Sequence, residues 1–431
     1  MIKQVLIATA VLIALSACSE PDVRLAGLRE DVRASRTDVK NQTRPAKLPK
    51  VVPNKSWTHR NGAPSHAGPM AALAKDLTLL FSADIGEGDS RGARITASPI
   101  VSGGLVYTLD ARALVTAVNM QGEIIWTRSV KPIRDGADDA SGGGLAAAGG
   151  KIFVSSGFGV LTALDAKDGQ LLWRQDLDAP GTAAPTVRNG LVYVTAKNSS
   201  AWALDAETGR VAWRVDGSPA TTSFDGGSGA AVANKMAVFP FPSGEVVALF
   251  AKGGLKRWST VISGMRLGHA ASAIDDIAGD PVIFDGRVYV SNLGGQTSAL
   301  SLTDGNVIWS APEGAQGPVW PIKNAVFLIN DLNELVRLNA ANGRPIWRVQ
   351  LPQELENGTG RNAMSISHHG PILAGQRLLV ASSDGQLREF DHKSGELIST
   401  LPIVGGAASS PAVARRTLFV VTRDGKLLAF R

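Results

Sequence analysis

Six histidines and one run of aspartates are the side chains best suited to binding a metal. His368 and His369 are adjacent, and neighbouring residues of a strand point to opposite faces, so this pair cannot chelate as a helical i, i+4 pair does. The run from Asp275 to Asp280 could bind calcium, but it lacks the alternating oxygen ligands of an EF-hand loop. A solvated acidic loop and a partner-binding loop are the alternatives, and no metal site is predicted. The histidines are His59, His66, His269, His368, His369 and His392.

The patterns that would indicate catalysis are weak. The glycine-rich run from Ser141 to Gly144 lacks the Lys-Ser/Thr of a phosphate-binding loop and is predicted to begin a strand. No Gly-x-Ser-x-Gly sequence occurs, and serine, histidine and aspartate are too scattered to propose a triad. We therefore predict no catalytic residue.

Cys18 is the only cysteine, so no disulfide can form within the chain. Lys3 precedes an apolar run from Val5 to Leu15, the pattern of a secretory signal too short for a retained transmembrane helix. The stretch from Leu15 to Cys18 resembles the bacterial lipobox, which implies cleavage before Cys18 and acylation there. An incidental signal-peptide cysteine is the alternative. Ser19 replaces the Asp that typically marks inner-membrane retention, which implies a lipid anchor in the outer membrane of a Gram-negative bacterium, on the periplasmic side.

A short pattern repeats seven times and determines the predicted fold. Ala203 to Trp213 is the clearest copy: a strand, an acidic-Gly turn, and a second strand carrying Trp. The glycine permits the positive φ of a tight hairpin, and the tryptophan would cover the next sheet while its ring N–H finds a partner. The tryptophans are about 38 to 51 residues apart, which suits one four-stranded propeller blade per repeat. They are Trp126, Trp173, Trp213, Trp258, Trp309 and Trp347.

The last repeat is one strand short. It begins at Ser410 and ends at Arg431, while the run from Leu77 to Ala83 precedes the first full copy and has the character of a strand. Pairing these two ends would remove an open sheet edge. We therefore predict an all-β fold: an eight-bladed β-propeller of four-stranded antiparallel blades, closed by its N- and C-terminal strands.

The predicted domains are a signal peptide (1–17), a lipid-anchored tether (18–56) and the propeller (57–431). Mixed charges and the prolines Pro45, Pro49 and Pro53 indicate a solvated linker, although a short helix is the alternative near Leu25 and Leu28. The formal net charge is +6. Spread over the whole chain, this charge is best explained by solubility, with phosphate-bearing lipid surfaces as the alternative. Export argues against a nucleic-acid partner.

The repeats resemble those of the pyrroloquinoline-quinone dehydrogenases, whose eight-bladed propellers hold the cofactor on the central axis. Those enzymes commonly carry a pair of adjacent cysteines against the quinone, with carboxylate and Asn ligands for calcium. This chain has a single cysteine and is shorter than those enzymes typically are. We therefore expect a structural role for the repeats and no cofactor.

The lipobox, the linker and the blades together resemble the BamB family of outer-membrane assembly lipoproteins. The resemblance extends from Cys18 to Arg431. In that family one loop with leucines and an Arg, and a second with two Asp, bind the periplasmic domains of the barrel-forming subunit BamA. The first loop aligns with residues 222–225, where Asp225 replaces the Arg, and the second with Asp276, where Ala278 replaces the other Asp. The candidate partner-binding residues are Phe224, Asp225, Arg266, Asp275 and Asp276.

The resemblance implies a scaffold that docks on BamA and other members of the β-barrel assembly complex. Such a scaffold would assist folding and insertion of outer-membrane β-barrels without bond chemistry, and unfolded barrel proteins are conceivable clients. Two alternatives remain: a small periplasmic quinoprotein dehydrogenase, and a propeller lipoprotein that binds another envelope partner.

Overall fold

Most of the described chain forms a closed ring of eight antiparallel blades. The computed structural model describes residues 39–136, 138–181, 183–220, 227–264, 276–355 and 365–431. Within them, 32 strands form eight four-stranded sheets, and the one helix is a 3₁₀ turn at Arg60–Gly62. The first strands of successive blades contact one another around the axis, including β2 with β30. The predicted all-β, eight-bladed propeller is confirmed. No helix among these residues is long and apolar enough to cross a membrane.

Each blade runs from an innermost first strand to an outermost fourth strand. The first four blades are β2 (Ile100–Ser102), β3 (Leu105–Leu109), β4 (Leu114–Asn119), β5 (Ile124–Ser129); β6 (Gly143–Ala148), β7 (Lys151–Ser156), β8 (Val160–Asp165), β9 (Leu171–Asp176); β10 (Thr186–Arg188), β11 (Leu191–Ala196), β12 (Ser200–Asp205), β13 (Val211–Asp216); and β14 (Ala231–Ala233), β15 (Met236–Pro240), β16 (Glu245–Phe250), β17 (Lys256–Val261).

The remaining blades are β18 (Gly279–Phe284), β19 (Arg287–Ser291), β20 (Thr297–Ser301), β21 (Val307–Ala311); β22 (Trp320–Ile322), β23 (Ala325–Ile329), β24 (Glu334–Asn339), β25 (Pro345–Gln350); β26 (His368–Ala374), β27 (Arg377–Ser382), β28 (Gln386–Phe390), β29 (Leu397–Pro402); and β30 (Ala412–Ala414), β31 (Thr417–Val421), β32 (Lys426–Phe430), β1 (Leu79–Asp84). The predicted closure is confirmed, because β1 pairs antiparallel with β32.

The repeated tryptophan joins each of the first six blades to the next. The ring of Trp173 lies over Gly209 in the following blade, where an added Cβ would be 2.6 Å from Cδ2 of the tryptophan. Its Nε1 donates to the carbonyl of Ala206 at 3.2 Å. Trp126, Trp213, Trp258 and Trp309 donate to the matching carbonyl of their next blades at 2.9 to 3.2 Å. The predicted packing of tryptophan on the neighbouring sheet is therefore confirmed, and the predicted N–H bond is confirmed for these five; Trp347 packs over Gly395, but its Nε1 makes no hydrogen bond within the described part of the chain.

Residues 57–73, which we call the plug, lie across one end of the axis. Together with Asn54, they contact the first strand of every blade. The contacts are Trp57 with Val101 and Trp320, Thr58 with Ala147, His59 with Val187, Pro64 with Val232, Ser65 with Ile283, Ala71 with Ala374, and Asn54 with Val413. Because these hydrogen bonds are made largely by backbone groups, the residue types of this segment did not indicate them.

Residues 39–56, which we call the strap, belong to the predicted tether and run from the rim to the axis. Gln42 N–H donates to the carbonyl of Ile346 at 3.1 Å, so the strap begins against the outer edge of β25. Arg337, buried in the sixth blade, donates to the carbonyls of Arg44 and Pro45 at 2.6 and 3.0 Å. This part of the tether thus rests on the ring.

Candidate partner-binding face

The propeller has two unlike ends. At one end, which we call the plug face, lie the plug and the hairpin turns after the first strand of each blade, such as Gly375, whose N–H donates to the carbonyl of Ala71. The opposite end, which we call the loop face, carries the connections from each blade to the next. Because loops on a rigid ring are displayed at little ordering cost, the loop face is the natural place for recognition.

A polar cavity of about 480 Å³ lies on the axis at the loop face. Its floor is Arg60 of the plug, whose Nε lies 3.2 Å from Oδ2 of Asp280. The carboxylate of Asp280 is fully buried and also accepts from Gly229 N–H at 2.7 Å. Because a buried carboxylate requires a charge partner, this pair ties the plug to the fifth blade. Lining residues include Arg60, Gly143, Asp276, Gln316, His369 and Ser409.

The two adjacent histidines differ in environment. His368 is bonded through both ring nitrogens, Nδ1 to Ser382 Oγ at 2.7 Å and Nε2 to the carbonyl of Pro352 at 2.8 Å. Burial, helped by the neighbouring His368, lowers the pKa of His369 to about 4. Burial also lowers the pKa of His368, so both rings are neutral at pH 7. Across the described ranges, no three His, Cys, Asp or Glu side chains converge as metal ligands would.

Asp276 is the one predicted site residue inside the described ranges, and it is 6% exposed. It lines the axial cavity and also a smaller neighbouring cavity that Gly227 shares. Gly227 and Asp276 are the described residues that follow segments 221–226 and 265–275. The residues that follow the two candidate segments therefore line the same cavities on the loop face. Cys18, Phe224, Asp225, Arg266 and Asp275 lie outside the described residues.

Arg60 and Asp280 are the polar residues of this face that sequence reasoning missed. They are separated by 220 positions and belong to no repeated pattern. The sequence predicts a loop for the acidic run that contains Asp280, but β18 begins at Gly279, so Asp280 is in a strand. Only the position of the plug could have indicated their pairing.

The fold and repeats define a class: an eight-bladed propeller of the quinoprotein-like repeat type. The family described as "Outer membrane protein assembly factor BamB" matches residues 111–349 and 331–431, so this chain belongs to that family. A relative of that name from Yersinia pestis is 24% identical over 338 residues, covering 77% of this chain and 83% of the relative.

Solved structures agree on the architecture. BamB from Moraxella catarrhalis aligns with TM-score 0.67 and 18% identity, covering 83% of this chain and all of that chain. The quinohemoprotein alcohol dehydrogenase from Comamonas testosteroni aligns with TM-score 0.66 and 16% identity, covering 88% of this chain and 81% of that chain. At these identities the likeness establishes the fold alone.

The residues of the axial cavity do not match a quinone site of the type that the resemblance implied. The chain has no adjacent cysteine pair, because Cys18 is its only cysteine. The guanidinium on the cavity floor is already paired with Asp280.

Proposed function

We propose that this chain is a lipid-anchored, non-catalytic scaffold of the outer-membrane β-barrel assembly machinery, which docks on the periplasmic domains of BamA. Docking would support folding and insertion of outer-membrane barrels. The observation that carries the proposal is the BamB family match, which spans the repeats from residue 111 to the C-terminus. Acylation at Cys18 would place the propeller at the periplasmic face of the outer membrane.

The geometry of the loop face supports one contact surface built from both candidate segments. Gly227 and Asp276 line a common cavity beside the fourth and fifth blades. A partner that contacts one segment would therefore meet the other within the same interface. Interface energy is concentrated in aromatic and arginine anchors, which makes Phe224 and Arg266 the strongest candidates. Asp276 is buried, so we assign it to holding the base of this surface.

Co-purification with BamA tests the docking. Phe224→Ala combined with Arg266→Glu should lower the amount of BamA recovered with the tagged protein from detergent-solubilised envelopes by at least about tenfold, the loss of one or two anchors. A matched control is Leu255→Ala combined with Arg344→Glu, two exposed positions in turns of the plug face. The control should retain BamA.

Two outcomes would contradict the proposal at different levels. Full retention of BamA by the folded double variant would place the interface elsewhere on the propeller. Absence of BamA from the wild-type preparation would refute the assembly role itself. An unchanged thermal midpoint of the variant shows that the ring has not unfolded.

The lipid anchor is tested separately. Cys18→Ser should leave unprocessed precursor and abolish labelling by a radiolabelled fatty acid, because the acylated thiol is gone. Labelling that survives this substitution would show that the chain is not a lipoprotein of this type.

A further inference from the structure

The strap carries five cations and no acidic residue. The cations, all exposed, are Lys40, Arg44, Lys47, Lys50 and Lys55. Within the described ranges, no ion pair involves any of them. An uncompensated row of five like charges raises the local potential and attracts an extended anionic surface more than a single ion.

Contacts with the ring hold this row of charges in place. Ala46 and Leu48 pack against the main apolar core. Lys47, which lies between them, and Lys50, which follows them, are exposed. Lys47 N–H donates to Oδ1 of Asn324 at 2.7 Å. Because the ring has already ordered the backbone, a ligand need not supply that ordering free energy.

The surroundings of the strap are basic and partly apolar. Lys323, in the turn beside Asn324, and Lys393, whose carbonyl accepts from Arg44 N–H, are exposed next to it. The nearby acid Asp391 is engaged by the N–H groups of Lys393 and Ser394 at 2.8 Å each. Val51 and Val52 are each 40% exposed on the same strip. Cations around a small apolar ridge suit a lipid headgroup layer better than a dissolved anion.

We propose that the strap is a membrane-contacting strip that binds the phosphate groups of anionic phospholipids. The strap lies within reach of the predicted acylation site, because the chain from Cys18 to Val39 spans at most ~75 Å when fully extended. The plug face would then turn toward the membrane, leaving the loop face free for the partner. The proposal does not rest on the docking to BamA.

Vesicle binding of the processed chain, residues 18–431 with Cys18→Ser, tests the strip without an acyl chain. Vesicles of phosphatidylcholine mixed with phosphatidylglycerol should bind this protein, and vesicles of phosphatidylcholine alone should bind it far less. Lys50→Gln with Lys55→Gln should lower the partition coefficient by about 25-fold, since each surface cation contributes roughly fivefold. Raising the salt concentration should weaken binding.

The matched control is Arg91→Gln with Arg134→Gln, two exposed arginines in connections of the loop face. It should change the partition coefficient by less than about twofold, although the net charge falls equally. Equal binding by the strap variant and the wild type would overturn the proposal. So would equal binding to both vesicle types, or competition by inorganic phosphate beyond that of chloride at the same ionic strength.

A protein contact at the strip is distinguishable from a lipid contact. If the strap variant binds anionic vesicles normally but recovers less BamA from envelopes, the strip contacts a protein and the lipid proposal is wrong. The side chains of Lys50 and Lys55 make no hydrogen bond to the described part of the ring, so an unchanged thermal midpoint is expected for this variant.

Discussion

Phe81 on the N-terminal strand β1 lies directly opposite Ala429 on the C-terminal strand β32, as Trp213 lies opposite Ala203 in an uninterrupted blade. Its ring also lies over Gly122 of the first blade, where an added Cβ would be 2.8 Å from Cγ of Phe81. Phe81 therefore performs in the eighth blade the joining role of the repeated tryptophan. The two chain ends complete one repeat between them.

Replacing this ring should weaken the closure. We expect Phe81→Ala to lower the free energy of unfolding by about 2 kcal/mol, the cost of losing a half-buried aromatic side chain from an interface between blades. The neighbouring Leu80→Ala should cost under about 1 kcal/mol, because Leu80 is 47% exposed. Urea denaturation checks both. Equal losses for the two variants would show that Phe81 does not join the blades.

The tryptophan-over-glycine contact makes a second prediction with an internal control. Gly190 and Gly209 have nearly the same backbone, with φ of 79° and 72°. A Cβ at Gly190 would meet no atom within 4 Å, whereas at Gly209 it would meet the Trp173 ring. Gly190→Ala should therefore cost about 1 kcal/mol of strain. Gly209→Ala should cost a further 1–3 kcal/mol or so from overpacking. Thermal unfolding that gives the same loss for both would remove the steric argument.

The buried histidine of the plug makes stability depend on pH. Burial, helped by the neighbouring charge of His66, lowers the pKa of His59 to about 3. Nε2 of His59 accepts from Val187 N–H at 3.0 Å, so the ring is neutral in the fold. Unfolding raises the pKa toward 6.5, so the unfolded state binds the extra proton and stability falls as pH drops below about 6.5.

The expected size of the effect is about 1.4 kcal/mol of lost stability per pH unit from this histidine between roughly pH 6 and 4. His59→Gln can keep an acceptor for Val187 without titrating. Denaturant unfolding at several pH values should therefore give a shallower slope for the variant. Identical slopes for variant and wild type would show that His59 does not carry the dependence.

Arg337 makes the strap testable by proteolysis. Its guanidinium donates to strap carbonyls, and desolvation with the nearby charge of Arg44 lowers its pKa to about 10. Arg337→Met should free the strap, so that trypsin cuts after Lys47 and Lys50 several times faster while the ring remains intact. Arg344→Met, an exposed position in the same blade, is the control. Unchanged cleavage in the Arg337 variant would show that other contacts hold the strap.

Positions that depart from the repeat show where the N-terminal segment contacts the ring, which the repeat itself does not show. The position that is Ala in most copies is Arg337 in the sixth blade and Glu389 in the seventh. Arg337 holds the strap, and Glu389 pairs at 2.8 Å with Arg377, which donates to the carbonyls of Ala74 and Lys75. The seventh blade carries Ser399 instead of tryptophan, and the next blade pairs β32 with β1 without a hairpin between them. Arg337 and Glu389 therefore mark where the N-terminal segment contacts the ring.

What the sequence determined by itself was the repeating unit, and with it the ring. Alternation of apolar residues, glycine at the turn and tryptophan at a regular interval are local signals, so they could be recognised without any long-range contact. The count of blades and the terminal strand pair followed from a repeat left one strand short. The tertiary structure alone decided how residues 39–73 are used. Their contacts are mostly backbone hydrogen bonds to strands from every blade, and the Arg60–Asp280 pair joins residues 220 positions apart. Such contacts depend on where the closed ring places its strand ends, and no periodic pattern encodes them.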